Sequence, residues 1–236
     1  YDLARQFGVS EVTIRSDVDI LARRGGIRRV RGGAMRVVEA VPEVDYEARV
    51  SSYFPEKRAI GQAAAAMLSP GDSIILDVGT TAMAIAHAIA DREDLTNLTI
   101  FTPGLNIALA LERAIPRVEV VVTGGTLRPQ QHSLVGPVST LILERIRASF
   151  AFIGCNGVDP SLGIMGLSLP DAALKQAILK ASRLGIVVTD ASKFTQTALV
   201  RVCGFEDVDM IMTAGAPDPA TVAAVRETGV DLKILP

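Results

Sequence analysis

The sequence predicts an α/β protein: an open, mostly parallel sheet flanked by helices, with a small winged helix-turn-helix at its N-terminal end. Two observations carry the sheet. Beyond residue 72, short runs of Val, Ile and Leu alternate with Ala-rich stretches, and several of these runs end in small-residue turns that open helices. The third observation is local. In residues 7–34, FGVSEVTIRSDVDILARRGGIRRVRGGA, a helix end, a capped second helix, a double glycine and a basic ribbon follow in order. That order outlines a winged helix-turn-helix, which lays its second helix in the major groove of DNA.

Composition sets the bounds. The 236 residues, 49% of them hydrophobic, suffice for one sizeable core and a small appendage, and with 4% aromatics and no Trp that core is aliphatic. Two cysteines, Cys155 and Cys203, make no disulfide framework and point to the cytoplasm. No apolar run reaches transmembrane length, and the basic start lacks the apolar centre of a signal peptide, so no membrane role is expected. The net charge of −2 conceals an asymmetry: residues 1–36 hold eight Arg against four acidic residues. The other 200 residues carry 16 basic against 22 acidic groups, so a basic head sits on an acidic body. That division suits a phosphate-seeking module on a carrier.

In the head, Leu3, Ala4 and Phe7 share one helix face, Val9 fills the turn, and Val12, Ile14, Val18 and Leu21 form the apolar face of the next helix. Ser10 and Thr13 are placed to satisfy free amides where that helix starts. Ser10, Thr13, Arg15 and Ser16 lie near its N-terminus, where such side chains reach base edges and phosphates. Arg28, Arg29 and Arg31 of the ribbon are the expected phosphate grips. Taken singly, these arginines read equally well as solvated charges; their coincidence with the helix-turn-helix pattern favours DNA. The head is expected over residues 1–38, and residues 39–55, with two prolines and little periodicity, read as a linker to the body at 56–236.

Pro55 opens a helix through Met67. Strands are expected at Ser73–Leu76, Leu98–Phe101, Val118–Val122, Phe150–Ile153, Ile186–Thr189, Met210–Met212 and Leu232–Leu235. Helices fit at Thr81–Ala90, Leu105–Arg113, Val138–Ile146, Asp171–Ala181 and Pro219–Glu227. In such a sheet, ligands bind beyond the carboxyl ends of the strands.

Asp77-Val78-Gly79-Thr80-Thr81 lies between a strand and a helix. Gly79 permits close backbone approach, the threonines offer hydroxyls, and the helix N-terminus favours an anion. A helix cap on a tight turn explains the same residues equally well. The turns holding Gly124, Gly125 and Arg128, and holding Asn156 and Gly157, sit at analogous strand ends and together suggest a polar mouth. Lys193, after another strand, is a candidate for phosphate or sugar hydroxyls. Lys175 stands four residues after Asp171, a spacing that fits a site or an ordinary solvated pair.

The segment VSEVTIRSDVDILARRGGIRRVRGGA resembles the DNA-binding signature of DeoR-type bacterial transcriptional regulators, VS..TIRRDL..L...G...R..GGA. Ser16 replaces the second Arg of the family's TIRRD, removing one expected DNA contact. The family places a further helix before the one opening at Asp2, and a head without it is expected to be less stable. The body matches the family in order through IGQAAAAML, LDVGTTAMAIA, VVTGGTLRPQQHSLVGP, AFIGCNGVD, ALKQAIL and VVTDASKF. The resemblance implies a sensor similar in fold to ribose-5-phosphate isomerase. It also implies a phosphorylated sugar surrounded by Asp77, Gly79, Thr80, Thr81, Gly124, Gly125, Arg128, Asn156, Gly157, Lys175 and Lys193. Thr102-Pro103 stands where relatives have Thr-Asn, and Ala173 where they often have an acid.

The fold relationship keeps an isomerase-like enzyme as the alternative, with Asp77, Asp159, Asp171 or Asp190 as base and Lys193 as charge stabiliser. However, the isomerases' acidic cluster is reduced here to Asp159. His87 and His132 have no partner at metal-ligand spacing, so no metal is expected. Cys155 reads as a buried small hydrophobe, and Ser133 beside His132 makes no triad without geometry. The expectation is therefore a DNA-binding transcriptional regulator of sugar metabolism, a repressor controlled by a phosphorylated sugar, with no cofactor. Its partners are double-stranded operator DNA, a phosphorylated sugar and further copies of the chain as a dimer or tetramer.

Overall fold

The computed structural model describes residues 2–23, 27–30, 33–36 and 45–236. The chain divides into two compact units, Tyr1–Ala40 and Val41–Pro236.

In the first unit, α1 (Asp2–Phe7) and α2 (Glu11–Arg23) are joined by a turn in which Gly8 takes a φ of +65°, a conformation open to glycine. The turn is closed by the Val9 amide, which donates to the Ala4 carbonyl at 3.1 Å. β1 (Ile27–Val30) and β2 (Gly33–Arg36) pair antiparallel with Val30 opposite Gly33, so the basic ribbon is a hairpin. Arg24, the double glycine and Arg31 lie outside the described residues. Of the apolar residues expected to form the head's core, Ala4 is buried, whereas Phe7 and Val12 are 65% and 75% exposed.

The second unit begins earlier than the sequence suggests. Within the stretch read as linker, α3 (Tyr46–Val50) forms and packs on the body, and Tyr53, at a φ of +53°, leads into α4 (Phe54–Ala66). A five-residue helix is too short to show helical periodicity. There follow β3 (Ser73–Leu76), α5 (Thr80–Asp91), β4 (Leu98–Thr102), α6 (Leu105–Leu111) and β5 (Val118–Val122). A hairpin of β6 (Thr126–Arg128) and β7 (Ser133–Val135) leads to α7 (Pro137–Leu143), β8 (Ala148–Ile153), β9 (Gly157–Asp159) and β10 (Gly163–Gly166). The chain ends with α8 (Leu169–Lys180), β11 (Ser182–Asp190), β12 (Val200–Cys203), β13 (Met210–Ala214), α9 (Pro219–Glu227) and β14 (Asp231–Leu235).

All seven expected strands enter one parallel sheet, ordered β14-β13-β11-β8-β3-β4-β5. Ile75 at its centre pairs with Phe101 on one side and Ala151 on the other. From β3 the chain winds outward through β4 and β5, then returns to β8 and winds the other way. The β3/β8 boundary is therefore the topological switch point, where a crevice opens at the carboxyl ends. The hairpin and an antiparallel sheet, β12-β10-β9, are additions the sequence did not announce.

Strand alternation builds two cores. Ile74 and Leu76 of β3, and Ile186 and Val188 of β11, point to one face with Ile60, Ile85, Ile89 and Leu111. Ile75 and Val187 point to the other face with Leu143, Ile178, Val222 and Val225. With both faces covered, each inner strand reads as a continuous apolar run.

Candidate functional site

In the head, Ser10 Oγ accepts from the Thr13 amide at 3.1 Å and shares a 2.8 Å hydrogen bond with Thr13 Oγ1, so the two residues cap α2 together. Ser10, Thr13, Arg15 and Ser16 are all exposed. Arg15 pairs with Glu11 at 3.3 Å, one turn back, and Arg29 of the wing pairs with Asp19 of α2 at 2.8 Å. The second pair ties the hairpin to the outward face of the helix. Arg28 lies on β1, and Arg31 falls outside the described residues.

In the body, the switch-point crevice is a cavity of about 310 Å³. It is bordered by the turn after β3, the N-terminus of α5, the turn after β8, and the 3-10 helix Ala191–Thr195 after β11. Gly79, Thr80, Thr81, Arg128, Asn156, Lys175 and Lys193 all line it. Gly79 adopts a φ of +103°, and with no side chain there the backbone lies open to the cavity. The N-terminus of α5 begins at Thr80, so its backbone amides and dipole favour an anion at this place.

The floor is ionic. Asp77, fully buried directly after β3, accepts from the Lys175 ammonium and from the Gly154 amide at 2.9 Å. Lys175 also lies 3.6 Å from Asp171, which stands 3.8 Å from Arg128. The Asp171/Lys175 spacing is thus a buried pair on α8, not a solvated one. Burial pushes the Asp77 carboxyl up from its ordinary range, and the Lys175 charge opposes this. Burial works against charge on Lys175 too, but the carboxylates of Asp171 and Asp77 hold its pKa above the usual lysine value. The other Asp77 oxygen, Oδ1, is buried without a hydrogen-bond partner.

Four predicted effector residues fall outside the cavity lining: Asp77, bound to Lys175 of the lining, and three glycines. Gly124 and Gly125 shape the turn packed on α7: a Cβ on Gly125 would stand 2.6 Å from the Val135 carbonyl oxygen. Gly157 lies so close to the Gln196 carbonyl that a Cβ would sit 2.3 Å from its oxygen. Gly125 and Gly157 thus admit the protein's own backbone, and Gly124 the Val138 side chain. Asp159 accepts from the Ser161 amide and hydroxyl in the loop after β9, away from the lining. Cys155, read as a buried hydrophobe, is half-buried and lines the cavity, and burial pushes its thiol up. His132 is bound to Glu47, not poised over Ser133. Among the described residues, no group of three or more His, Cys, Asp or Glu could hold a metal ion, and no helix is long and apolar enough to cross a membrane.

Sequence reasoning missed several lining residues. Arg49, Ser52 and Tyr53 come from the presumed linker, and Lys57 from α4. Lys57 is buried and donates to the Arg49 carbonyl at 2.8 Å and to the Ser52 carbonyl. Burial holds its pKa below the usual lysine value; Asp190 opposes this, and the neighbouring cations Arg49 and Lys193 reinforce it. In sequence, Lys57 is simply a charge on an amphipathic helix. On the far wall, Asp190 accepts from the Ser192 amide at 3.0 Å, and Lys193 donates to Gln196 at 3.1 Å.

A helix-turn-helix head with a basic wing, carried on an α/β body with a cation-rich cavity at its switch point, defines a ligand-responsive DNA-binding regulator. Residues 1–39 match the model of the DeoR-like helix-turn-helix domain, and residues 54–214 that of the DeoR C terminal sensor domain. The chain belongs to the DeoR family of transcriptional regulators. It is 32% identical over 217 residues to the glycerol-3-phosphate regulon repressor of Haemophilus influenzae, covering 92% of this chain and 83% of that one. It is 32% identical over 212 residues to the transcriptional repressor AccR of Agrobacterium fabrum, covering 89% and 81%. Ribose 5-phosphate isomerase A from Methanocaldococcus jannaschii is similar at a TM-score of 0.45 and 15% identity, over 60% of this chain and 55% of that one. The curated relatives are regulators, and the chain is a regulator rather than an isomerase.

Proposed function

We propose that the chain represses genes of sugar metabolism and that a phosphorylated sugar in the body's cavity controls its grip on operator DNA. One observation carries this reading: the N-terminus of α5 and the cations Arg49, Lys57, Arg128, Lys175 and Lys193 border the same cavity. An anionic group suits those donors, and Asp190 and Asn156 offer polar partners for sugar hydroxyls. The relative named for the glycerol-3-phosphate regulon supports a phosphorylated effector.

On DNA, Thr13, Arg15 and Ser16 contact base edges and neighbouring phosphates, while Arg28, Arg29 and Arg31 grip phosphates. The active form is a dimer or tetramer that reads paired half-sites in the cytoplasm. A coupling of about 1–3 kcal/mol between effector and DNA changes operator affinity roughly 5- to 150-fold.

A thermal-shift panel of sugar phosphates, each beside its dephosphorylated sugar, tests the effector. A ligand at 100 times its Kd adds about 2.7 kcal/mol, a readily measured shift. Stabilisation only by phosphorylated members, without turnover by NMR, is the expected result. A panel with no shift removes the effector reading, and turnover revives the isomerase alternative. Lys193→Ala is expected to weaken binding in calorimetry while leaving the body folded.

A further inference from the structure

Residues 45–53 lead from the head's side of the chain into the body, and they also border the cavity: Arg49, Ser52 and Tyr53 line it. This segment is held down at several points. Glu47 Oε1 and His132 Nε2 are 2.6 Å apart, and the Tyr46 ring meets His132 edge-on, centroids 5.4 Å apart at 79°. The Arg49 guanidinium donates to Gln131 Oε1. From below, Lys57 donates to the carbonyls of Arg49 and Ser52. Every one of these partners belongs to the body.

Three cations meet at this segment. Arg49 from α3, Lys57 from α4 and Lys193 from the 3-10 helix after β11 line the cavity together, and at Lys57 the charges of Arg49 and Lys193 work against its own while the carboxylates of Asp190 and Glu56 favour it. An anion among the three relieves that repulsion, and in doing so links one cation on the segment to two on the body. Tyr53 supplies the pivot: a non-glycine residue at a φ of +53°, in a sparsely populated conformation, marks where the chain changes direction before α4.

We propose that residues 45–53 form a strap that reads the ligand: an anionic effector bridging Arg49 to Lys57 and Lys193 fastens the already docked strap more tightly to the body, so occupancy is passed to the chain segment leading toward the head. The Glu47–His132 contact, outside the cavity lining, is the latch that sets the strap's resting position. The inference rests on the anionic-effector reading of the cavity.

Hydrogen exchange on the full chain separates the two claims, with glycerol 3-phosphate, ribose 5-phosphate and inorganic phosphate as probes and calorimetry run in parallel. A probe that binds is expected to slow exchange of the amides in 78–83, at the turn and helix start. It is also expected to slow those in 46–53 by about tenfold or more. Protection at 78–83 with none at 46–53 overturns the strap and leaves the effector reading standing. No heat and no protection with any probe overturns both. In Glu47→Ala the probe is expected to bind still, while resting exchange at 46–53 rises several-fold; unchanged resting exchange there overturns the latch.

Discussion

In the head, Arg29 and Asp19 pair with side chains 56% and 46% exposed; in the body, Lys175 and Asp77 pair at 5% and 0%. Both are cation–carboxylate contacts, and their physics is opposite. The exposed pair competes with water and salt, so its cation can exchange a carboxylate for a DNA phosphate at little cost. The buried pair has no water to fall back on, and removing one partner strands a charge in the interior. A surface built to meet DNA keeps its charges exchangeable, whereas the cavity floor keeps them fixed.

The largest expected effect breaks the buried pair. Lys175→Met is expected to cost about 3–5 kcal/mol in urea denaturation, and Asp77→Asn in the same chain to recover much of it. A stability equal to the parent's would place Lys175 in the same class as the head's pairs and end the contrast. Packing gives the next test. A Cβ at Gly61 would stand 2.5 Å from the Ala84 carbonyl oxygen, where α4 crosses α5. Gly61→Ala is therefore expected to cost about 1–3 kcal/mol, read as a lowered Tm.

On the head, Arg29→Ala is expected to change stability by no more than about 1 kcal/mol. It should also reduce the salt slope of DNA binding by about one. An unchanged slope would make Arg29 a partner of Asp19 alone. The smallest effect is expected at Gly33, where an added Cβ meets nothing within 4 Å. There Gly33→Ala should stay within about 0.5 kcal/mol.

The parallel sheet was legible because inner strands are apolar on both faces, as in Ser73–Leu76 and Ile186–Val188. The Asp77–Thr81 turn was legible because a strand, a glycine and a helix start follow one another in sequence. The packing at Gly125 and Gly157 was not legible for a physical reason: a glycine that admits a ligand and one that admits a neighbouring strand or loop look alike until the neighbour is seen. Arg49 and Lys57 were hidden because their role depends on α3 folding back onto α4, which no local period encodes. The three-stranded β12-β10-β9 sheet was missed likewise, since its strands are only three or four residues long.

The cavity's floor and rim come from different parts of the architecture. Asp77, Lys175 and Asp171 are anchored at a central strand end and on α8, where exchanging a residue endangers folding. Arg49, Ser52, Ser192 and Gln196 stand on α3, the turn that follows it and the segment after β11, outside the strands of the seven-stranded sheet. On the effector reading proposed above, recognition of a new ligand is accessible to selection, or to an engineer, through the rim. On that reading the scaffold is open to retuning while its foundation stays untouched.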